Sequence, residues 1–104
     1  MDDKPQTVRL AYYGISPWEI EVIYGLFSGK FIIQQEETEQ NKENFVSALT
    51  IDIPLSFSEE FFKWFEFKAW ERVKSIIKEM KRRRGKGNAI VVEILFTGEP
   101  NVDL

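Results

Sequence analysis

Seven basic side chains lie within thirteen residues near the carboxyl end of the sequence. They are Lys74, Lys78, Lys81, Arg82, Arg83, Arg84 and Lys86. Cations grouped in this way can neutralise the phosphates of a nucleic acid. They also stabilise the negative end of a helix, where they simply face solvent. Because the whole chain carries a net charge of −3, unlike most dedicated nucleic-acid binders, nucleic-acid binding is the alternative prediction and not the first.

The acidic side chains are concentrated further upstream, at Glu36, Glu37, Glu39 and Glu43. Carboxylates can hold a hard cation such as Ca²⁺, but a calcium loop needs oxygen ligands at alternating positions around a central glycine. This stretch contains no glycine. We therefore expect a solvated loop, and we predict no metal and no cofactor.

Catalytic chemistry has few candidates here because the chain contains no His and no Cys. The commonest general base, the commonest transition-metal ligand and the thiol nucleophile are thus absent. Phosphate-binding loops, dinucleotide fingerprints and nucleophile elbows are also missing. The sequence predicts that the chain is not an enzyme.

The first strand and the first helix have the clearest local signals. Residues 7–14, TVRLAYYG, are rich in β-branched and aromatic side chains and end in glycine, which predicts a strand. Ser16 then precedes Pro17 and Glu19, the pattern of a capping box with proline at the first helical position. The apolar spacing that follows predicts a buried helix that ends at Ser28 and Gly29.

Three further elements complete the predicted order β-α-β-β-α-β. Residues 30–37 and 44–53 are predicted strands joined as a β-hairpin, residues 58–84 a second helix, and residues 88–97 a fourth strand. This order predicts an α+β, ferredoxin-like fold with a four-stranded antiparallel sheet and two helices on one face. We expect residues 1–104 to form a single domain with polar tails at 1–6 and 98–104.

Six aromatic rings fall within ten residues, 61–70, of the second predicted helix. At 100° per residue, one broad arc faces the sheet; it contains Phe61, Phe62, Phe65, Ala69, Val73, Ile76, Ile77 and Met80. Trp64 and Phe67 point to the opposite side, and Trp70 lies near the border. One prediction is that Phe57 or a loop covers these rings, or that Trp70 packs under the neighbouring helix. The other is that the three rings are anchors for another protein surface, where Trp and Phe are favoured.

The sheet face without helices is the second candidate surface. Alternation along the first and fourth strands predicts that Tyr13, Val91 and Leu95 point outward. The RNA-recognition motif shares the predicted topology and stacks bases on aromatic rings of its central strands. The third strand, FVSALTID, has no outward ring, so we expect this face to contact protein, most simply a second copy in a homodimer.

Taken together, these patterns predict a small non-enzymatic interaction or regulatory domain. It would self-associate or dock to a protein partner through Trp64, Phe67 and Trp70 or through the open sheet face. No apolar stretch reaches the roughly 18–20 residues that span a bilayer, and the polar start MDDKPQTV is unlike a signal peptide. We therefore expect a cytoplasmic protein that does not bind membranes.

Overall fold

A computed structural model of the chain describes residues 6–40, 45–85 and 90–98. Within these ranges the fold is α+β, with one four-stranded sheet and three helices. The elements are β1 (Thr7–Tyr13), α1 (Pro17–Ser28), β2 (Ile32–Glu37), β3 (Ser47–Ile53), α2 (Glu59–Phe62), α3 (Phe67–Arg84) and β4 (Ile90–Phe96). Lys86, Glu43 and most of both predicted tails lie outside the described residues.

The start of α1 confirms the predicted capping box. The Glu19 amide donates to Ser16 Oγ at 3.2 Å, and the Ser16 amide donates back to Glu19 Oε1 at 3.2 Å. Pro17 occupies the first helical position, where no N–H is needed. The local sequence alone therefore determines where this helix begins.

The strand pairing differs from the predicted antiparallel, ferredoxin-like sheet. The order is β2-β1-β3-β4; β1 is parallel to β2, β3 is parallel to β4, and the antiparallel contact joins β1 to β3. The predicted hairpin of β2 with β3 is also wrong, because β1 lies between them. Each helical crossover returns the chain to the position beside the strand it left, which produces two parallel β-α-β units instead of interleaved ones.

The predicted buried face of β1, β3 and β4 is confirmed at the centre of each strand. Leu10 lies opposite Ile51, and Ile51 lies opposite Ile94, so these side chains share one face across three strands. They belong to the buried cluster that packs under the helices. Val91 and Leu95 alternate with this row and therefore lie on the open face.

The predicted second helix is interrupted, which changes the direction of its aromatic side chains. Helix α2 ends at Phe62, and Glu66 is extended (φ −66°, ψ 144°) before α3 begins. A continuous helix would turn 100° at every residue, whereas the extended Glu66 resets the phase of α3. Trp70 thereby turns into the core, 3% exposed, with its ring 5.4 Å from that of Phe57. Its prediction as a border residue for a partner is wrong.

The aromatic side chains of residues 61–70 pack against α1 and against β4. Phe65 stacks on Phe27 of α1 with ring centroids 4.9 Å apart, and Phe61 meets the ring of Phe96 on β4 at 5.2 Å. These rings are fully buried. Most of the aromatic residues in 61–70 therefore belong to the hydrophobic core.

Candidate functional site

The two edges of the sheet have opposite chemical character. β2 reads IIQQEE and ends one side of the sheet with two carboxylates, whereas β4 reads IVVEILF and ends the other side with mostly apolar residues. Edge strands present backbone donors and acceptors to other chains, and charged side chains are a common means of blocking such pairing. Strand β4 is the edge better suited to accept a further strand.

A groove runs between α3 and the edge strand β4. Its volume is about 220 Å³, and it is lined by Lys74, Ile77, Lys78, Lys81, Val92 and Ile94. Ile77 and Ile94 are buried and Val92 is half-buried, so the floor is apolar. A side chain from an additional strand could reach this floor while its backbone pairs with β4.

The lysines of the groove form one row along α3 because positions 74, 78 and 81 lie on one side of a helix. Lys78 and Lys81 are exposed. Lys74 Nζ lies 2.8 Å from Glu71 Oε2, but both side chains are well exposed, and such a pair contributes little. The apolar floor therefore has a cationic rim. The 74-78-81 spacing is visible in the sequence, but the strand beneath it is not.

Two arginines of the predicted basic cluster are engaged elsewhere. Arg82 and Arg83 both pair with Glu79, and the Arg83 guanidinium lies 5.2 Å from the centre of the Trp18 ring. These groups lie on the exposed surface, so the pairs are weak. Lys86 lies outside the described residues. Among the described residues, the cations of the predicted cluster thus do not form one continuous phosphate-binding surface.

Arg84, predicted as part of the nucleic-acid surface, is instead an internal contact. Its Nη1 and Nη2 donate to the two carboxylate oxygens of Glu19 at 2.9 and 2.8 Å. Nη1 also donates to the Met80 carbonyl at 3.1 Å. The Glu19 side chain is buried and that of Arg84 is mostly buried. A bidentate pair therefore joins the end of α3 to the start of α1.

The ion pair with Arg84 shifts the pKa of Glu19. The Arg84 hydrogen bonds, assisted by those from Ser16, lower the pKa of Glu19 from 4.5 to about 2 against the opposing effect of burial. The same pairing raises the pKa of Arg84. Glu19 thus serves as a helix cap and as the acceptor for Arg84, a role that its capping-box position did not predict.

Stability should consequently depend on Glu19 at low pH. Because its folded pKa lies below its unfolded one, its stabilisation is complete above pH 4.5 and is lost as the pH falls toward 2. We expect the wild-type advantage over Glu19→Gln to shrink by about 3 kcal/mol across that window. Urea denaturation at a series of pH values measures it. Glu21→Gln removes an exposed acid of the same helix and is the control for the loss of one helical charge; an effect equal to that of Glu19→Gln would contradict the assignment.

The predicted aromatic surface is reduced to one exposed ring. Phe67 is 64% exposed and contacts Phe62 at 5.8 Å between centroids. Trp64 is half-buried and packs against the core. With Trp70 inside the molecule, the patch is small compared with the interfaces of stable complexes.

The open sheet face is polar and only partly available. Tyr13 is 5% exposed and donates its hydroxyl proton to the Phe45 carbonyl at 3.1 Å, so its predicted outward role is wrong. Val91 is half-buried and Leu95 is 39% exposed. The hollow on this face, about 490 Å³, is lined largely by polar side chains such as Arg9 and Asp52. It offers little apolar area for a protein contact.

Over residues 6–40, 45–85 and 90–98, no helix is long and apolar enough to cross a membrane. In the same ranges, no group of acidic side chains is arranged to hold a metal ion. Comparison of the chain with protein-family models, with curated proteins and with solved structures found no match.

Proposed function

We propose that this chain is a protein-interaction domain that accepts an extended acidic segment of protein as an additional strand beside β4. The observation that supports it is the groove between α3 and β4, with Val92 and Ile94 on its floor and lysines on its rim. Strand addition combines backbone hydrogen bonds with pockets for alternate side chains. The role is one of binding; that the chain is not an enzyme stays a prediction.

The chemistry of the groove indicates the composition of the segment. In an extended segment successive side chains point to opposite faces, so every second one would meet the α3 side. Apolar side chains there would cover Ile77 and Val92, and carboxylates would meet Lys78 and Lys81. An acidic partner is favoured over a basic one by charge alone.

Titration of the isotope-labelled protein with an octapeptide of repeated Thr-Val-Thr-Glu (the Val–Glu octapeptide) tests this function by NMR, because this peptide carries Val and Glu in turn on one face of an extended strand and Thr on the other. We expect chemical-shift changes and slower amide exchange along β4, because an added strand protects its outer amides. The same octapeptide with Lys in place of Glu should bind more weakly by at least about tenfold. Loss of the shifts in Lys78→Glu, but not in Lys68→Glu, would assign binding to the groove, since Lys68 is exposed but does not line it.

Other results of the same titration would overturn the proposal. Shifts confined to the surroundings of Phe67 would move the binding surface to the aromatic patch. No peptide binding, together with a salt-dependent complex with single-stranded RNA or duplex DNA that Lys78→Glu abolishes, would favour the nucleic-acid alternative.

A further inference from the structure

The acidic edge strand β2 has the features that the β4 groove would select. We propose that the segment accepted beside β4 is β2 of a second copy, so that the chain assembles head to tail into a continuous sheet. This inference rests on the proposed function and names its partner. The apolar start of β2, Ile32 and Ile33, is followed by two glutamines and then by Glu36 and Glu37.

The strand directions permit this pairing. β2 runs parallel to β1, β1 runs antiparallel to β3, and β3 runs parallel to β4, so β2 and β4 of one molecule point in opposite directions. A second copy placed in the same orientation therefore brings its β2 beside β4 as an antiparallel neighbour. Antiparallel pairing is slightly the more stable of the two arrangements per residue.

Opposite charges meet when β2 of the second copy pairs with β4. Helix α3 carries the chain from β3 back to β4, so its last turns, with Lys78 and Lys81, lie near the start of β4. Antiparallel pairing brings the end of the second copy's β2, and with it Glu37, to that same point. Ile33 of the second copy then lies toward Ile94. Apolar side chains meet the floor of the groove, and the carboxylate meets the lysines.

Helix α1 of the second copy adds to this complementarity. α1 runs back from the end of β1 to the start of β2, so its first turns lie near the end of β2. Its outer side, with Glu21 and Tyr24, lines a groove of about 350 Å³ beside Gln35. In the assembly this side approaches the lysine row of α3. Glu21 is exposed and brings a second carboxylate toward Lys78 and Lys81.

A symmetric dimer through two β4 strands is electrostatically less favourable. The twofold axis of such a dimer would place the two lysine rows side by side, and like charges in juxtaposition oppose association. The head-to-tail contact instead pairs each lysine row with a carboxylate edge. Because its two surfaces differ, an open assembly always keeps one free β2 edge and one free β4 edge, and it can grow until it closes into a ring.

Charge exchange between the two edges tests the head-to-tail contact. One variant carries Lys78→Glu and Lys81→Glu; the other carries Glu21→Lys and Glu37→Lys. In sedimentation velocity at low salt, the wild-type sedimentation coefficient should keep rising from micromolar to millimolar concentration. Each variant alone should associate at least about tenfold more weakly, and an equal mixture should regain association because opposite charges then face each other at every contact. All four side chains are exposed, and circular dichroism would confirm that both variants fold.

A peptide of residues 31–40, FIIQQEETEQ, provides a second measurement. Added in excess, it should occupy the β4 edge and shorten the assemblies, whereas the same peptide with Glu36→Lys and Glu37→Lys should not. A wild-type protein that stays monomeric throughout the concentration range overturns this inference; if the Val–Glu octapeptide still binds, the proposed function stands without it. A species that stops at the dimer and ignores Glu21→Lys and Glu37→Lys would also overturn it, in favour of the symmetric β4 contact.

Discussion

Replacing Trp70 with alanine should lower the free energy of unfolding by about 3–5 kcal/mol, as is typical of a buried Trp or Phe truncated to Ala. The ring packs against Phe57, Phe61 and Phe96, so its removal leaves a cavity that rigid neighbours cannot readily fill. Urea denaturation followed by far-ultraviolet circular dichroism measures the change, since the tryptophan signal itself is altered.

Phe67→Ala is the matched control, because Phe67 is an aromatic residue of the same helix but is exposed. It should change the free energy of unfolding by no more than about 0.5 kcal/mol. Equal losses in the two variants would mean that α3 does not have the phase that the extended Glu66 produces. A loss of self-association in Phe67→Ala, with stability unchanged, would mean that the exposed Phe67 ring is part of the interface between copies.

The second large effect is expected at Arg84. Changing it to methionine should destabilise the fold by about 3–5 kcal/mol at neutral pH, because the Glu19 carboxylate then remains buried without its cation. The bidentate geometry, with both distances under 3 Å, makes this more than a surface ion pair. Chemical denaturation at pH 7 measures the loss.

Two comparisons separate this effect from general removal of charge. Arg82→Met removes a neighbouring cation whose pair with Glu79 is exposed, and its cost should stay below about 1 kcal/mol. The double variant Arg84→Met with Glu19→Gln should recover part of the loss, since no uncompensated charge then remains. If Arg84→Met costs no more than Arg82→Met, the contact between α1 and α3 is not a stabilising one.

Local features of the sequence predicted the local features of the fold. Ser16, Pro17 and Glu19 determine the start of α1 through bonds within four residues, and these form wherever the helix lies. The alternation of Ile90, Val92 and Ile94 identifies the buried face of β4, because successive side chains of any strand point to opposite sides. The order of strands and helices followed from the same short-range patterns, with α2 and α3 merged into one helix.

Long-range contacts could not be read from these patterns. Alternation has the same form whether a strand pairs in parallel or antiparallel. It therefore could not show which strands lie beside β1, and the predicted ferredoxin-like order was wrong. Periodicity likewise cannot reveal that Glu66 is extended, and it therefore misplaced Trp70. Arg84 resembles its neighbours Arg82 and Arg83 in the sequence; only its distance from Glu19 distinguishes it.

The sequence by itself determined the order of the strands and helices, except for the break at Glu66, and the buried face of β1, β3 and β4. It also shows that the chain has neither His nor Cys. Each of these depends on residues close together along the chain or on composition. Only the tertiary structure decided that β4 is an edge strand and that Lys74, Lys78 and Lys81 lie beside it. That juxtaposition depends on which strands become neighbours, a property of packing between distant segments, and it is the basis of the binding function proposed for this domain.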